Sequence, residues 1–123
     1  MNILIVDNDT SIRKALRMGL TRPEWNIDDV PTDSICAADF IRGSQYNIII
    51  VDLDMEDPCA LDIIREEKQQ DHKLIVVGMT RNSISDFFLK DNKNSFNACY
   101  QKPMHLNMLK KAIELELQKI VLL

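Results

Sequence analysis

A chain of 123 residues is the length of one domain, and it can bury roughly two-thirds of its unfolded surface, enough for one hydrophobic core. Hydrophobic residues make up 46% and charged residues 28%, ordinary for a globular protein, and 3 Gly with 4 Pro exclude collagenous and low-complexity chains. A balance of 15 Lys and Arg against 19 Asp and Glu leaves a net charge of −4, which argues against direct binding to nucleic acid or an anionic membrane.

The first apolar run, Ile3 to Val6, is cut short by Asp7 and Asp9, so no signal peptide is expected. No run approaches the roughly 20 apolar residues of a membrane helix. Cys36, Cys59 and Cys99 are odd in number, widely spaced and free of any CxxC. They read as small hydrophobes in a reducing compartment rather than a disulfide framework or zinc site. The expected location is the cytoplasm, and residues 1–123 are expected to form a single domain with no output domain.

In chain order, Ile3-Leu4-Ile5-Val6 predicts a strand. Its apolar residues are continuous rather than alternating, which suits a strand covered on both faces. Ile12, Ala15, Leu16, Gly19 and Leu20 predict a helix, with Asp9-Thr10-Ser11 as N-cap candidates. A weaker strand follows at Trp25 to Val30. Ile35, Ala38, Phe40 and Ile41 predict a second helix, opened by Thr32-Asp33-Ser34 and closed near Gly43. Ile48-Ile49-Ile50-Val51 is a third strand, and Leu61, Ile64 and Lys68 mark a third helix with Pro58 near its first turn. Leu74-Ile75-Val76-Val77 is a fourth strand, followed by a short helix around Ile84, Phe87, Phe88 and Leu89 and a polar loop at Asn92-Lys93-Asn94-Ser95. A weaker strand at Ala98 to Gln101 precedes a last helix marked by Leu106, Leu109, Ile113, Leu117 and Ile120, spaced 3, 4, 4 and 3 apart. Strict strand–helix alternation implies an α/β fold with a parallel sheet and right-handed crossovers.

In such a sheet the site lies beyond the carboxyl ends of the strands. Those ends carry Asp7, Asn8 and Asp9, then Asp52, Leu53 and Asp54, then Thr80, then Lys102 and Pro103. The first and third strands should be neighbours, which brings Asp7 towards Asp52. Two carboxylates ~4 Å apart repel by about 4 kcal/mol at an effective dielectric near 20. A hard divalent cation such as Mg²⁺, with Lys102 as a further positive charge, would offset this. Plainer roles are also open: Asp9 and Thr80 as helix caps, Asp52 as a turn residue, Lys102 as a surface lysine.

The segments ILIVDND at 3–9 and IIIVDLDM at 48–55, then Thr80 and the Lys102-Pro103 pair, stand in an order and spacing that resembles the CheY-like receiver domain of two-component response regulators. The resemblance implies a flavodoxin-like α/β fold: a five-stranded parallel sheet in the order 2-1-3-4-5 with helices on both faces. It implies that Asp52 accepts a phosphoryl group from a sensor histidine kinase or phosphotransfer protein and switches the binding of a downstream output domain or protein. Asp7, Asn8, Asp52 and the Asp54 backbone carbonyl would hold Mg²⁺. Thr80 and Lys102 would contact the phosphoryl group, Cys99 would occupy the usual aromatic switch position, and Pro103 would be a cis-proline that positions Lys102. A homodimer is a further expected partner. Such a module is not an enzyme beyond its own phosphorylation and dephosphorylation.

The sequence departs from the family pattern in places. Asn8 replaces a second carboxylate, which should weaken Mg²⁺ binding. Proline is displaced to Pro58 behind Met55-Glu56-Asp57, and Ala60 stands where glycine is frequent. Arg81 follows Thr80 where a small residue usually leaves room for the donor, and Tyr100, next to Cys99, should face the other side of its strand. A flavin or nucleotide module on the same topology is disfavoured by the acidic Asp7-Asn8-Asp9 loop and the lack of a GxGxxG or Walker motif, and two further rival readings follow. One is a pseudo-receiver, an interaction module that works without phosphorylation. The other is a haloacid-dehalogenase-type phosphatase built on Asp52-Leu53-Asp54. The apolar end, Ile120-Val121-Leu122-Leu123, is read either as last-turn packing or as a partner or linker surface.

Overall fold

Short β-branched runs and longer periodic segments fold as the alternation requires. The structure, a computed structural model, describes residues 1–31, 34–43, 46–54, 59–71, 73–82, 96–102 and 106–121. Its elements are β1 (Asn2–Val6), α1 (Thr10–Leu20), β2 (Asn26–Val30), α2 (Ser34–Gly43), β3 (Ile48–Asp52), α3 (Cys59–Gln70), β4 (Ile75–Thr80), β5 (Ala98–Gln101) and α4 (Leu106–Val121). The strands form one five-stranded sheet in the order β2-β1-β3-β4-β5, every neighbouring pair parallel. The helix expected around residues 84–89, the loop at 92–95 and Pro103 lie outside the described residues.

Side chains alternate across the sheet, so each continuous apolar run feeds two cores. Leu4, Val6, Ile49, Val51 and Val76 face α2 and α3, where they meet Ile41, Ala60, Ile63 and Ile64. Ile3, Ile5, Ile48, Ile50, Ile75 and Val77 face α1 and α4, where they meet Leu16, Leu20, Leu109 and Ile113. Helices therefore cover both faces. The outer strand β2 reads Asn26 exposed, Ile27 buried, Asp28 exposed, Asp29 intermediate and Val30 buried. That half-polar pattern is why its signal is weaker than those of β1, β3 and β4.

Three helix stripes need correction. Ala15 is exposed, and the inward face of α1 is Ile12, Leu16 and Leu20. A single methyl adds little burial energy, so the larger leucines set the rotation of the helix. Phe40 is also exposed, while Ala38 and Ile41 turn inward. In α3 the stripe omits Ile63, which is buried beside Ile64. Lys68 sits on the inner edge of that helix and donates to the Leu74 carbonyl and, at 3.0 Å, to Asn97 Oδ1. Burial pushes the Lys68 ammonium below the usual lysine range, against the opposing pull of Asp71 and Glu116.

Gly78 in β4 has a definite packing role. A Cβ there would lie 2.7 Å from Leu53 Cδ1, so any larger residue would push the Leu53 side chain off its seat against the strand. The Leu53 amide also bonds the Met79 carbonyl at 2.8 Å. Both contacts fix the chain between Asp52 and Asp54.

Candidate functional site

Three strands bring the charged groups together at the carboxyl end of the sheet. Asp7 follows β1 and is 3% exposed, with its amide bonded to the Val30 carbonyl at 3.1 Å. Asp52 is the last residue of β3, and Lys102 follows β5. The Lys102 amide bonds the Thr80 carbonyl at 2.6 Å, and its side chain reaches past β4. Lys102 Nζ lies 2.7 Å from Asp7 Oδ2 and 3.4 Å from Asp52 Oδ1. The three side chains are 8%, 4% and 12% exposed, so the shared ammonium sits where water screens little.

Backbone amides complete this floor. Asp7 Oδ1 accepts from the Asp9 amide at 2.9 Å, and Asp52 Oδ1 from the Asp54 amide at 3.0 Å. Among the described residues no donor reaches Asp52 Oδ2. Asp7, Asp52 and Lys102 thus converge as the sequence reading expects.

A second cluster sits beside the first. Thr80, 8% exposed, is the last residue of β4 rather than the first after it. Its hydroxyl donates to Asp54 Oδ1 at 2.5 Å and accepts from the Asn82 amide at 3.1 Å. Asp54 Oδ2 accepts from the Arg81 amide at 2.7 Å, and Asn82 Nδ2 donates to Asp54 Oδ1 at 3.2 Å. Desolvation alone would raise the Asp54 carboxyl. The hydrogen bonds from the Arg81 amide and the Thr80 hydroxyl, the Lys102 charge and the Asn82 amide together hold it below the usual carboxylate range. Sequence reasoning gave Asp54 a role only through its backbone and missed Asn82. Both contacts depend on loop conformation, which strand and helix periodicity does not encode.

Asp9 takes the capping role. Its Oδ1 accepts from the Ser11 and Ile12 amides at 2.8 and 3.3 Å, and its Oδ2 pairs with an Arg81 guanidinium nitrogen at 3.2 Å. Arg13 was missed. It donates to the Asp7 carbonyl at 2.6 Å and to Asp29 Oδ2 at 3.1 Å, tying α1 and β2 to the floor. The available signal was a basic residue in the first turn of α1 opposite the acidic pair Asp28-Asp29.

Asn8, between the buried Asp7 and the capping Asp9, is exposed. Cys99 pairs across the ladder with Gly78 and packs half-buried on the α2–α3 side, while Tyr100 packs on the α1–α4 side, as alternation requires. Burial pushes the Cys99 thiol up, opposed by a backbone hydrogen bond with Gly78.

The donor chemistry fits a hard cation. Carboxylates of Asp7 and Asp52, the amide oxygen of Asn8 and the carbonyl of Asp54 are all oxygen donors of the kind Mg²⁺ takes. Two carboxylates against one ammonium leave roughly one negative charge to attract it. Among the described residues no three His, Cys, Asp or Glu side chains converge as a metal cage. A cavity of about 460 Å³ lies at the opposite end of the sheet, among Ile41, Tyr46, Ile49, Glu67, Asp71 and Leu74, remote from these charges. Among the described residues no helix is long and apolar enough to cross a membrane.

Comparison with known proteins agrees with this fold. The chain is 26% identical over 110 residues to the sensor protein EvgS of Escherichia coli, a match covering 89% of this chain but only 9% of that protein. The signal receiver domain of a putative Luxo repressor protein from Vibrio parahaemolyticus superposes with a TM-score of 0.82 at 23% identity, covering 98% of this chain and 92% of the other. A CheY-like response regulator receiver domain protein from Methanospirillum hungatei gives 0.81 at 17% identity, covering 97% and 94%. These structural likenesses are likenesses of fold. The family model for the response regulator receiver domain matches residues 3–114, and with its motifs set at the strand ends in the expected order, the chain belongs to that family.

Proposed function

We propose that this receiver domain accepts a phosphoryl group on Asp52 and passes the change to a partner. The observation that carries this reading is the shared ammonium: Lys102 Nζ bridges Asp7 and Asp52, and no donor among the described residues reaches Asp52 Oδ2. Phosphoryl transfer needs positioning and charge neutralisation more than covalent help from the protein. In the step, Asp52 Oδ2 forms the new O–P bond as the bond from phosphorus to the donor's leaving group breaks. With a phosphohistidine donor the imidazole departs and takes up a proton from water. Lys102 already lies within reach of both carboxylates, and its ammonium, still charged, would pair with the phosphoryl oxygens as they arrive. Thr80, at the end of the neighbouring strand, would donate its hydroxyl to a phosphoryl oxygen once freed from Asp54. Mg²⁺, held by Asp7, Asn8, Asp52 and the Asp54 carbonyl, would supply further neutralisation of the phosphoryl charge.

On this reading residues 1–123 are one receiver domain working in the cytoplasm, and its only chemistry is on itself. Its partners are a sensor histidine kinase or phosphotransfer protein, which the likeness to part of a sensor protein supports, and a downstream output domain or protein. A homodimer would also suit it. The phosphatase reading of Asp52-Leu53-Asp54 loses its support, because the second carboxylate is committed to Thr80, Arg81 and Asn82. A phosphorylation-independent module is the second reading, favoured by Asn8 and by the Arg81–Asp9 pair beside the acceptor.

Incubation with acetyl phosphate and Mg²⁺, read by intact mass, separates the two. One added phosphate on the wild type and none on Asp52→Asn is expected. Equal uptake by both proteins would move the acceptor elsewhere, and no uptake at saturating donor would select the phosphorylation-independent reading.

A further inference from the structure

The chemistry above uses only the backbone of Asp54, yet its side chain is among the most heavily bonded in the site. We propose that the Asp54 carboxylate is a positioning residue that latches Thr80 in the resting state, so that it and a phosphoryl group on Asp52 compete for one hydroxyl. This rests on the reading of Asp52 as acceptor.

The competition follows from the inventory of the hydroxyl. Thr80 Oγ1 has one hydrogen, and it is donated to Asp54 Oδ1 at 2.5 Å. One lone pair already accepts from the Asn82 amide at 3.1 Å. Donation to a phosphoryl oxygen therefore requires release from Asp54. The bond to be broken runs to a charged acceptor, the stronger class of hydrogen bond. It does not break alone, because Asp54 also holds the Arg81 amide at 2.7 Å and the Asn82 side chain at 3.2 Å. The segment 80–82 must move as a unit, which gives the equilibrium two states rather than a continuum.

The latch is anchored from below. The Asp54 amide donates to Asp52 Oδ1 at 3.0 Å, and Leu53 between them is pinned to Met79 and packed on Gly78. Position 54 is therefore fixed relative to the acceptor, and the choice of partner falls to Thr80.

The test compares wild type, Asp54→Ala and Asp54→Asn with beryllofluoride at saturating Mg²⁺. The asparagine variant is close to isosteric, keeps one acceptor oxygen and carries the test if the alanine variant does not fold. Affinity for the analogue should rise about tenfold in Asp54→Ala and by less in Asp54→Asn. The Lys102 amide bonds the Thr80 carbonyl and not Asp54, so its NMR signal reports the state of the segment rather than the lost contact. In the free variants that signal should move towards its analogue-bound position. If the wild type binds the analogue and the variants bind it no tighter, with the Lys102 signal unmoved, the latch is overturned and the acceptor reading survives. If no protein binds the analogue, the acceptor reading falls and takes the latch with it.

Discussion

Asp52 and Asp54 are two residues apart at the end of one strand, and their surroundings differ completely. Asp52 belongs to a buried floor, where it shares the Lys102 ammonium with Asp7 and, among the described residues, meets no donor at Oδ2. Asp54 belongs to an exposed rim, where both oxygens are filled by a hydroxyl, a backbone amide and a side-chain amide. The floor holds charge against charge and is set by the order of the strands. The rim holds dipoles against charge and is set by the path of the chain after β4. The same residue type is thus poised to react in one place and to hold a neighbour in the other.

The comparison breaks most sharply at Lys102. Replacing it with methionine leaves two buried carboxylates facing each other with no counter-charge, and removal of one partner from a buried ion pair costs about 3 kcal/mol or more. Lys102→Met should lose that much in urea unfolding at neutral pH without Mg²⁺. The double variant Lys102→Met/Asp7→Asn should recover most of the loss, because the repulsion goes with the second charge. Asp54→Ala, on the exposed rim, should cost well under half as much. Equal losses at Lys102 and Asp54 would remove the distinction between floor and rim.

The same distinction explains what the sequence made legible. Ile3–Val6, Ile48–Val51 and Leu74–Val77 are continuous because helices cover both faces of the sheet, so their strand ends could be located to within three residues. The convergence of Asp7, Asp52 and Lys102 follows from those ends once the strands are parallel and adjacent. The outer strand β2 was fainter because half its side chains meet water. Ala15 and Phe40 were placed inward because periodicity counts apolar residues without weighing which of them set the helix rotation. The grip of Asp54 on residues 80–82, and the reach of Arg13 to the Asp7 carbonyl, depend on loop path and rotamer. No spacing rule carries that information.

A smaller effect is expected from completing the charge of the floor. Asn8 offers an amide dipole where an aspartate would offer a full charge. Asn8→Asp should tighten Mg²⁺ about tenfold, equivalent to ~1.4 kcal/mol, with part of the raw Coulomb gain lost to repulsion from Asp7 and Asp52 in the metal-free protein. The metal-free variant should accordingly melt slightly lower. Calorimetric titration with Mg²⁺ and thermal melts of both proteins check this. Unchanged affinity with an unchanged melt would place position 8 outside the acidic pocket.

The smallest effect on stability, and the most informative about access, is expected at Arg81. Its guanidinium pairs with Asp9 at 3.2 Å, but the two side chains are 66% and 38% exposed. An ion pair that wet is worth no more than about 1 kcal/mol. Helix α1 should not suffer from its loss either, because Asp9 caps the helix through Oδ1 and meets Arg81 through Oδ2. The position of the pair matters more than its strength. Asp9 follows β1 and Arg81 follows β4, and the sheet places β3 between those strands. A contact joining the two therefore crosses the end of β3, where Asp52 stands. Arg81→Ala should leave the unfolding midpoint nearly unchanged while speeding phosphoryl uptake from acetyl phosphate several-fold. Salt separates this from a purely electrostatic role. If Arg81 mainly attracts the anionic donor, the variant slows and the difference fades as ionic strength rises. If Arg81 covers the acceptor, the variant is faster at every salt concentration, and that is the outcome the crossing predicts.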